Sequence, residues 1–207
     1  MNIKNNVEEI KKELPSNVKL LAATKKQSVV DIKEAISAGI KIIGENYVQE
    51  AEEKFEELKG KVKIHCIGHL QTNKVKDAVK MFDMIETVDS LKIAKEINKR
   101  SSKVMPVLIE VNSGKEENKN GCMPEDVVDL VKEVSKLENV EVKGLMTMTP
   151  YSKNPEAARP YFKLTKELFN KLNLEILSMG MSHSYKVAIE EGANLVRIGT
   201  GIFGERK

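Results

Sequence analysis

Residues 18–39 read "VKLLAATKKQSVVDIKEAISAG" and hold one full turn of a pattern that runs through the chain. The first part, Val18–Thr24, is short and nearly all apolar. It does not alternate, as expected of a parallel strand covered on both faces. Two lysines and a glutamine interrupt it. The second part has a helical period, with Val29, Ile32, Ala35 and Ile36 on one face and Gly39 placed as a C-cap. A covered strand followed by a one-sided helix is a βα unit.

Seven more strand-like runs follow: "KIIGEN" (41–46), "KIHCIG" (63–68), "MIETV" (84–88), "MPVLIEVN" (105–112), "VEVKGLMTM" (140–148), "EILSMG" (175–180) and "LVRIGTG" (195–201). Amphipathic segments lie between them. "PEDVVDLVKEVSKL" opens with Pro124 near its first turn and carries acids early and lysines late, as a helix dipole favours. "NPEAARPYFKLTKELFNKL" contains Pro155 and Pro160, so its regular part is expected from near Pro160. The segment up to Leu14 also reads as a helix, stopped by Pro15. Eight βα repeats without a long linker predict the α/β class and a single (β/α)8 TIM-type barrel over residues 1–207, with an extra N-terminal helix. An open doubly wound sheet is the alternative, and the first strand lacks the GxGxxG it would favour. Only "IFGERK" follows Gly201, so the leading helix is expected to cover the flank where a last helix would lie.

Composition narrows the function classes. The 207 residues carry a net charge of +3, with lysines and acids mixed throughout, so no nucleic-acid partner is expected. No stretch approaches the ~18 apolar residues of a membrane span, and the charged N-terminus has no secretory apolar region. The spacing of Cys66 and Cys122 fits no zinc motif. Free thiols in a reducing compartment, and hence a cytoplasmic protein, are the reading.

In such barrels the working face is the C-terminal end of the strands. Lys25 stands at the first exit, on the same side of an extended run as Leu21 and Ala23. It either begins a charged loop or serves as an amine nucleophile, which would need partial burial to lose its proton. Lys26 lacks that position and reads as solvated. At the last exit, Gly199, Thr200 and Gly201 form a small-residue loop that a phosphate could approach closely. The neighbouring exit carries Gly180, Ser182 and Ser184, either serine placed to cap the next helix. These two exits are where barrels most often hold phosphate, although turn chemistry alone also explains such residues. Asn46, His69, Gln71 and Asn73 are polar groups at the second and third exits, each open to a solvated reading. His65 and His69 fall on a strand and a turn and make no helical metal pair. Met146 and Met148 share a face and read as barrel interior.

The motifs "AATKKQ", "GENYVQE", "IGHLQTNK", "TVDS", "NKNG", "GLMTM", "LSMGMS" and "RIGTGIFGER", in order along the chain, resemble the pyridoxal-phosphate homeostasis protein family. That family shares the barrel of the alanine racemase N-terminal domain. The resemblance implies that Lys25 carries pyridoxal 5'-phosphate as an internal aldimine. It implies that Ser182, Gly199 and Thr200 hold the phosphate and that Asn46 lies near the ring. Arg197 matches the residue facing the pyridine nitrogen, where a permanently protonated side chain keeps that nitrogen unprotonated. Ser184 departs from the aspartate common at that position, and Cys122 stands where an aromatic or aliphatic residue is usual.

By that resemblance the protein binds the cofactor without robust catalysis, storing it, buffering it or passing it to apoenzymes, and a monomer is expected. An amino-acid racemase is the alternative. Such an enzyme takes a second base from a further C-terminal domain, for which no residues are expected after Lys207. The tyrosines Tyr47, Tyr151, Tyr161 and Tyr185 show no evident pairing to Lys25 in the sequence. A third possibility is a barrel that binds another phosphorylated metabolite without a Schiff base.

Overall fold

The computed structural model describes residues 2–205, so Arg206 of "RIGTGIFGER" lies outside the described residues. Eight parallel strands close into a barrel in chain order: β1 (Lys19–Ala23), β2 (Ile42–Glu45), β3 (Lys63–Cys66), β4 (Met84–Val88), β5 (Met105–Val111), β6 (Val140–Thr147), β7 (Ile176–Ser178) and β8 (Leu195–Ile198). β8 pairs back onto β1, with Leu21 opposite Arg197. Every run expected to be a strand is one. The outer ring comprises α1 (Ile3–Glu13), α2 (Val29–Ser37), α3 (Val48–Leu58), α4 (Val75–Met81), α5 (Leu91–Arg100), α6 (Val127–Val134), α7 (Arg159–Leu172), α8 (Tyr185–Glu190) and α9 (Thr200–Phe203).

Local chemistry sets the ends of these elements. Asn2 caps α1 by accepting from the Asn5 N–H, and the helix stops before Pro15. Ser28 caps α2, and Gly39 follows it at φ +99°, a left-handed position that glycine fills without strain. α7 has Pro160 in its first turn, as expected, and a 3-10 turn over Pro155–Ala158 precedes it. α6 corrects the reading of its start. Pro124 lies in a separate turn closed by Asp126 N–H to Met123 O, and the helix begins at Val127.

Successive strand residues face two different cores. Ala22, Ile43, Ile85, Ile109, Leu145 and Val196 point outward and are sealed under the helices. Leu21, Leu195, Met84, Leu108 and Met146 point inward and fill the barrel. Met148 was expected inside as well; it lies past the end of β6 and is 42% exposed. The flank after β8 holds a single helical turn, α9, and α1 packs over it. The Asn6 side-chain amide donates to Ile202 O at 2.9 Å, so the leading helix covers the last flank.

β6 and β7 approach so closely at Gly144 that a Cβ there would lie 1.8 Å from Ile176 O. Gly144→Ala is therefore expected to lower the urea midpoint, with a loss of about 2–4 kcal/mol of stability. Gly60→Ala, with nothing within 4 Å but φ +74°, should cost only about 1–2 kcal/mol. Equal losses in the two variants would contradict this packing.

Candidate functional site

The chain leaves β1 through a tight corner. Thr24 is fully buried, and its hydroxyl donates to Glu45 Oε1 at 2.7 Å. The buried Lys54 ammonium donates to Thr24 O, Glu45 Oε1 and Glu50 Oε1 at 3.1, 2.9 and 2.7 Å. Burial pushes the Glu45 carboxyl up, and the Lys54 hydrogen bond pulls against it. Gln27 N–H closes a turn onto Thr24 O at 3.0 Å. Lys26 occupies its third position at φ 61°, a conformation that costs a non-glycine residue about 1–2 kcal/mol. Its N–H donates to Glu50 Oε1 at 2.5 Å, which helps hold the turn. The Lys26 side chain is solvated, as read from the sequence, while its backbone makes the corner.

That corner leaves Lys25 half-buried. Its Nζ donates to the Tyr47 hydroxyl at 3.3 Å and stands 4.8 Å from the centroid of that ring. No such pairing was expected from the sequence. It arises because β1 and β2 are neighbours in register, Ala23 opposite Gly44, so their exits meet.

The two small-residue exits also meet. Ser182 Oγ accepts from the Gly201 N–H at 3.1 Å. Two details differ from expectation. "GTG" is not a loop: β8 ends at Ile198, Gly199 is the only connector, and Thr200 already begins α9. Neither serine caps α8 through its side chain. Ser184 holds the N-cap position, but its hydroxyl accepts from Met181 N–H at 3.2 Å. Ser182 faces α9, through its bond to the Gly201 N–H. Gly199 lies beside Ala23, where a Cβ would be 3.5 Å from the alanine Cβ. The Ser182–Gly199–Thr200 group and the Lys25 corner therefore share one rim.

Below that rim runs a buried polar chain. Arg197 is 4% exposed and points inward from β8. It donates to Ser178 Oγ at 2.6 Å and to Thr147 O at 2.8 Å. Ser178 donates in turn to Glu86 Oε2 at 2.7 Å. His65 Nδ1 lies 2.7 Å from Glu86 Oε1, and an ionised carboxylate makes it the donor. Burial pushes Glu86 up, but the His65 hydrogen bond, the charges of His65 and Arg197 and the Ser178 hydroxyl outweigh it and hold the carboxyl below its usual range. Glu110 differs. It is 8% exposed, and its Oε2 has no partner. Burial and the nearby charge of Asp89 push it up to about 7.

Asn46 is half-buried at the exit of β2. Its carbonyl lies so near Gly68 that a Cβ there would be 2.1 Å away, which brings the second and third exits together. Cys66 and Cys122 are both free and buried, and burial raises their thiols to about 12 and about 11.

Sequence reading missed Tyr47, Glu86, His65, Ser178 and Glu110 as members of the site. A signal was present for two of them. Glu86 in "MIETV" and Glu110 in "LIEV" are acids inside apolar strands, which a buried chain tolerates only when a partner or a proton neutralises them.

The fold and the rim define a class: a closed parallel barrel with a lysine after its first strand, a serine–glycine rim at its last two exits and a buried arginine beneath. Residues 1–207 match the family described as alanine racemase, N-terminal domain. The pyridoxal phosphate homeostasis protein of Aquifex aeolicus is 49% identical over 199 residues, covering 91% of this chain and 87% of that protein. The structure of PipY of Synechococcus elongatus PCC7942 with PLP bound superposes with a TM-score of 0.90 at 31% identity, covering 98% of this chain and 100% of that one. Alanine racemase of Clostridium difficile 630 shares the fold at TM-score 0.84 and 20% identity, this chain spanning 57% of its length. The chain belongs to the pyridoxal phosphate homeostasis protein family.

The unfolded chain ionises Glu110 near its ordinary 4.5, while the folded state keeps the proton to about 7. Stability from this group is full below the lower value and lost as pH rises to the upper one. Glu110→Gln should match the wild type at pH 4 and exceed it at pH 8, by on the order of 3 kcal/mol at most. Denaturation curves at the two pH values check this; the same difference at both would show Glu110 ionised in the folded protein.

Proposed function

We propose that this protein binds pyridoxal 5'-phosphate through a Schiff base with Lys25 and serves its homeostasis in the cell by storage, buffering or delivery to apoenzymes, without robust catalysis. The carrying observation is the shared rim: a half-buried Lys25 beside Ser182, Gly199 and Thr200, over the buried guanidinium of Arg197. The PLP-bound PipY, alike over nearly the whole chain, supports the same reading.

The residues present suit the group. Ser182, Gly199 and Thr200 offer hydroxyls and backbone N–H groups without a carboxylate, a donor set that fits a phosphate. Gly199 adds no side chain to obstruct it. Arg197 has five N–H donors, of which Ser178 and Thr147 take two, so donors remain for a ring nitrogen above. A guanidinium only donates, so that nitrogen must stay unprotonated. When bound, the cofactor supplies an aldehyde and a ring that is a weak electron sink in this state, which suits holding better than carbanion chemistry.

Lys25 must shed a proton to add to an aldehyde. That proton leaves to solvent, which reaches the half-buried amine, while the Tyr47 hydroxyl holds the side chain at the rim. Asn46, on the same rim, contributes an amide at the ring side. The buried thiols of Cys66 and Cys122 fit a reducing compartment such as the cytoplasm. The reading includes a monomer, with apoenzymes as its partners.

The Tyr47 contact also favours a second reading, an amino-acid racemase, because a phenol against the lysine can carry a proton. Deuterium exchange at the α-carbon of common amino acids decides between the two. Negligible exchange is expected, and turnover of ~1 s⁻¹ or more would favour the racemase.

Pyridoxal phosphate should produce a visible absorbance band that borohydride fixes onto the protein, with peptide mapping locating it at Lys25. A labelled protein with Lys25 unmodified would sink the proposal. Thr200→Trp should weaken cofactor retention by about tenfold or more, since it fills the rim where the phosphate is held; unchanged retention would remove Thr200 from the site.

A further inference from the structure

A cavity of about 370 Å³ opens between the loops that follow β2 and β3, on the same barrel end as Lys25. Asn46, Tyr47, Gln49, His69, Gln71 and Lys74 line it. Apart from Asn46 and Tyr47, the cofactor reading gives these residues nothing to do. In the closed barrel β1 lies between β8 and β2. The Ser182–Thr200 rim is on the β8 side of Lys25, and the cavity is on the β2 side, with Tyr47 as the wall between. The cavity therefore adjoins the rim from the β2 side of Lys25, opposite to Ser182 and Thr200.

Val48 and Gly68 complete its lining, which mixes polar and apolar surface and carries no carboxylate, in a chain with 31 acids. His69 already faces Asp89, at 3.5 Å. Lys74 is the informative residue. Five lysines among the described residues are buried or half-buried: Lys25, Lys54, Lys74, Lys143 and Lys166. Lys25 has the Tyr47 hydroxyl, and Lys54 has Glu45 and Glu50. Lys143 has Glu141 and Glu175, and Lys166 lies over the Phe169 ring. Among the described residues the Lys74 ammonium has no carboxylate, no hydrogen-bond acceptor and no ring. A cation that lines an open cavity without a counter-charge is placed to meet an anion there. An anion in the cavity would supply the missing counter-charge.

We propose that this cavity binds a small oxyanion-bearing metabolite, held by the Lys74 ammonium and the side-chain amides of Gln49 and Gln71. The volume is at the lower end of the ~300–1,000 Å³ range of small-molecule sites. A phosphate and a carboxylate share the chemistry that the lining recognises. Because Tyr47 touches both this space and Lys25, an occupant sits one side chain away from the amine.

The test uses ¹⁵N-labelled protein free of cofactor, titrated at constant ionic strength with sodium phosphate in one series and sodium succinate in another. Saturable amide shifts at residues 46–49 and 68–74 are expected in at least one series, and the tighter series names the source. Lys74→Gln should weaken that binding by about tenfold or more, the worth of one charge-assisted hydrogen bond, and Lys74→Arg should retain it. Three results would each overturn the proposal: undiminished binding by a folded Lys74→Gln protein, shifts confined to residues 180–184 and 197–201, or no saturation in either series. No cofactor is in the sample, so the outcome is independent of whether Lys25 forms a Schiff base.

Discussion

A guanidinium buried inside the barrel is the constraint around which the interior is organised. An unpartnered charge there would cost several kcal/mol, so Arg197 needs acceptors within reach. They come from other strands: Ser178 on β7, the Thr147 carbonyl on β6 and, through Ser178, Glu86 on β4. Glu86 in turn takes His65 from β3. Five of the eight strands are thus tied through one chain of hydrogen bonds, which adds side-chain links across the backbone ladder. The apolar layer of Leu21, Met84, Leu108, Met146 and Leu195 fills the rest of the interior.

The rim inherits its geometry from this interior. With β8 held by Arg197 and paired to β1, Gly199 is set against Ala23, and the exits of the first and last strands become neighbours. The Thr24–Gln27 turn then aims Lys25, and its strained third residue is stabilised by Glu50, itself held by Lys54. A single ammonium, that of Lys54, thereby supports both the corner after β1 and the start of α3. Two buried ion networks, one under the rim and one beside it, position a lysine that is itself only half-buried.

Much of this was legible in the chain because it is periodic. Near-continuous apolar runs spaced by helical stripes can be counted, and the count of eight determines closure. Lys25, Ser182, Gly199 and Thr200 could be placed because each stands at a strand exit, and exits can be located from the runs. Pro124 misled because proline tolerates a turn as readily as a helix start, and the turn bond to Met123 is invisible in the composition. Ser184 misled because an N-cap residue is chosen by backbone position, while its hydroxyl found a nearer donor in Met181. "GTG" read as a loop because nothing local shows that α1 waits to cover a helical turn there.

The sequence alone determined the fold class and which residues stand at the C-terminal exits of the strands, because strand and helix periods and exit positions are local properties. Only the tertiary structure decided which of those residues act together. Tyr47 against Lys25, Glu86 beneath Arg197 and Lys74 left without a counter-charge are consequences of barrel closure. Closure brings residues 20 to more than 100 positions apart within hydrogen-bond distance, and charge is compensated in space rather than along the chain.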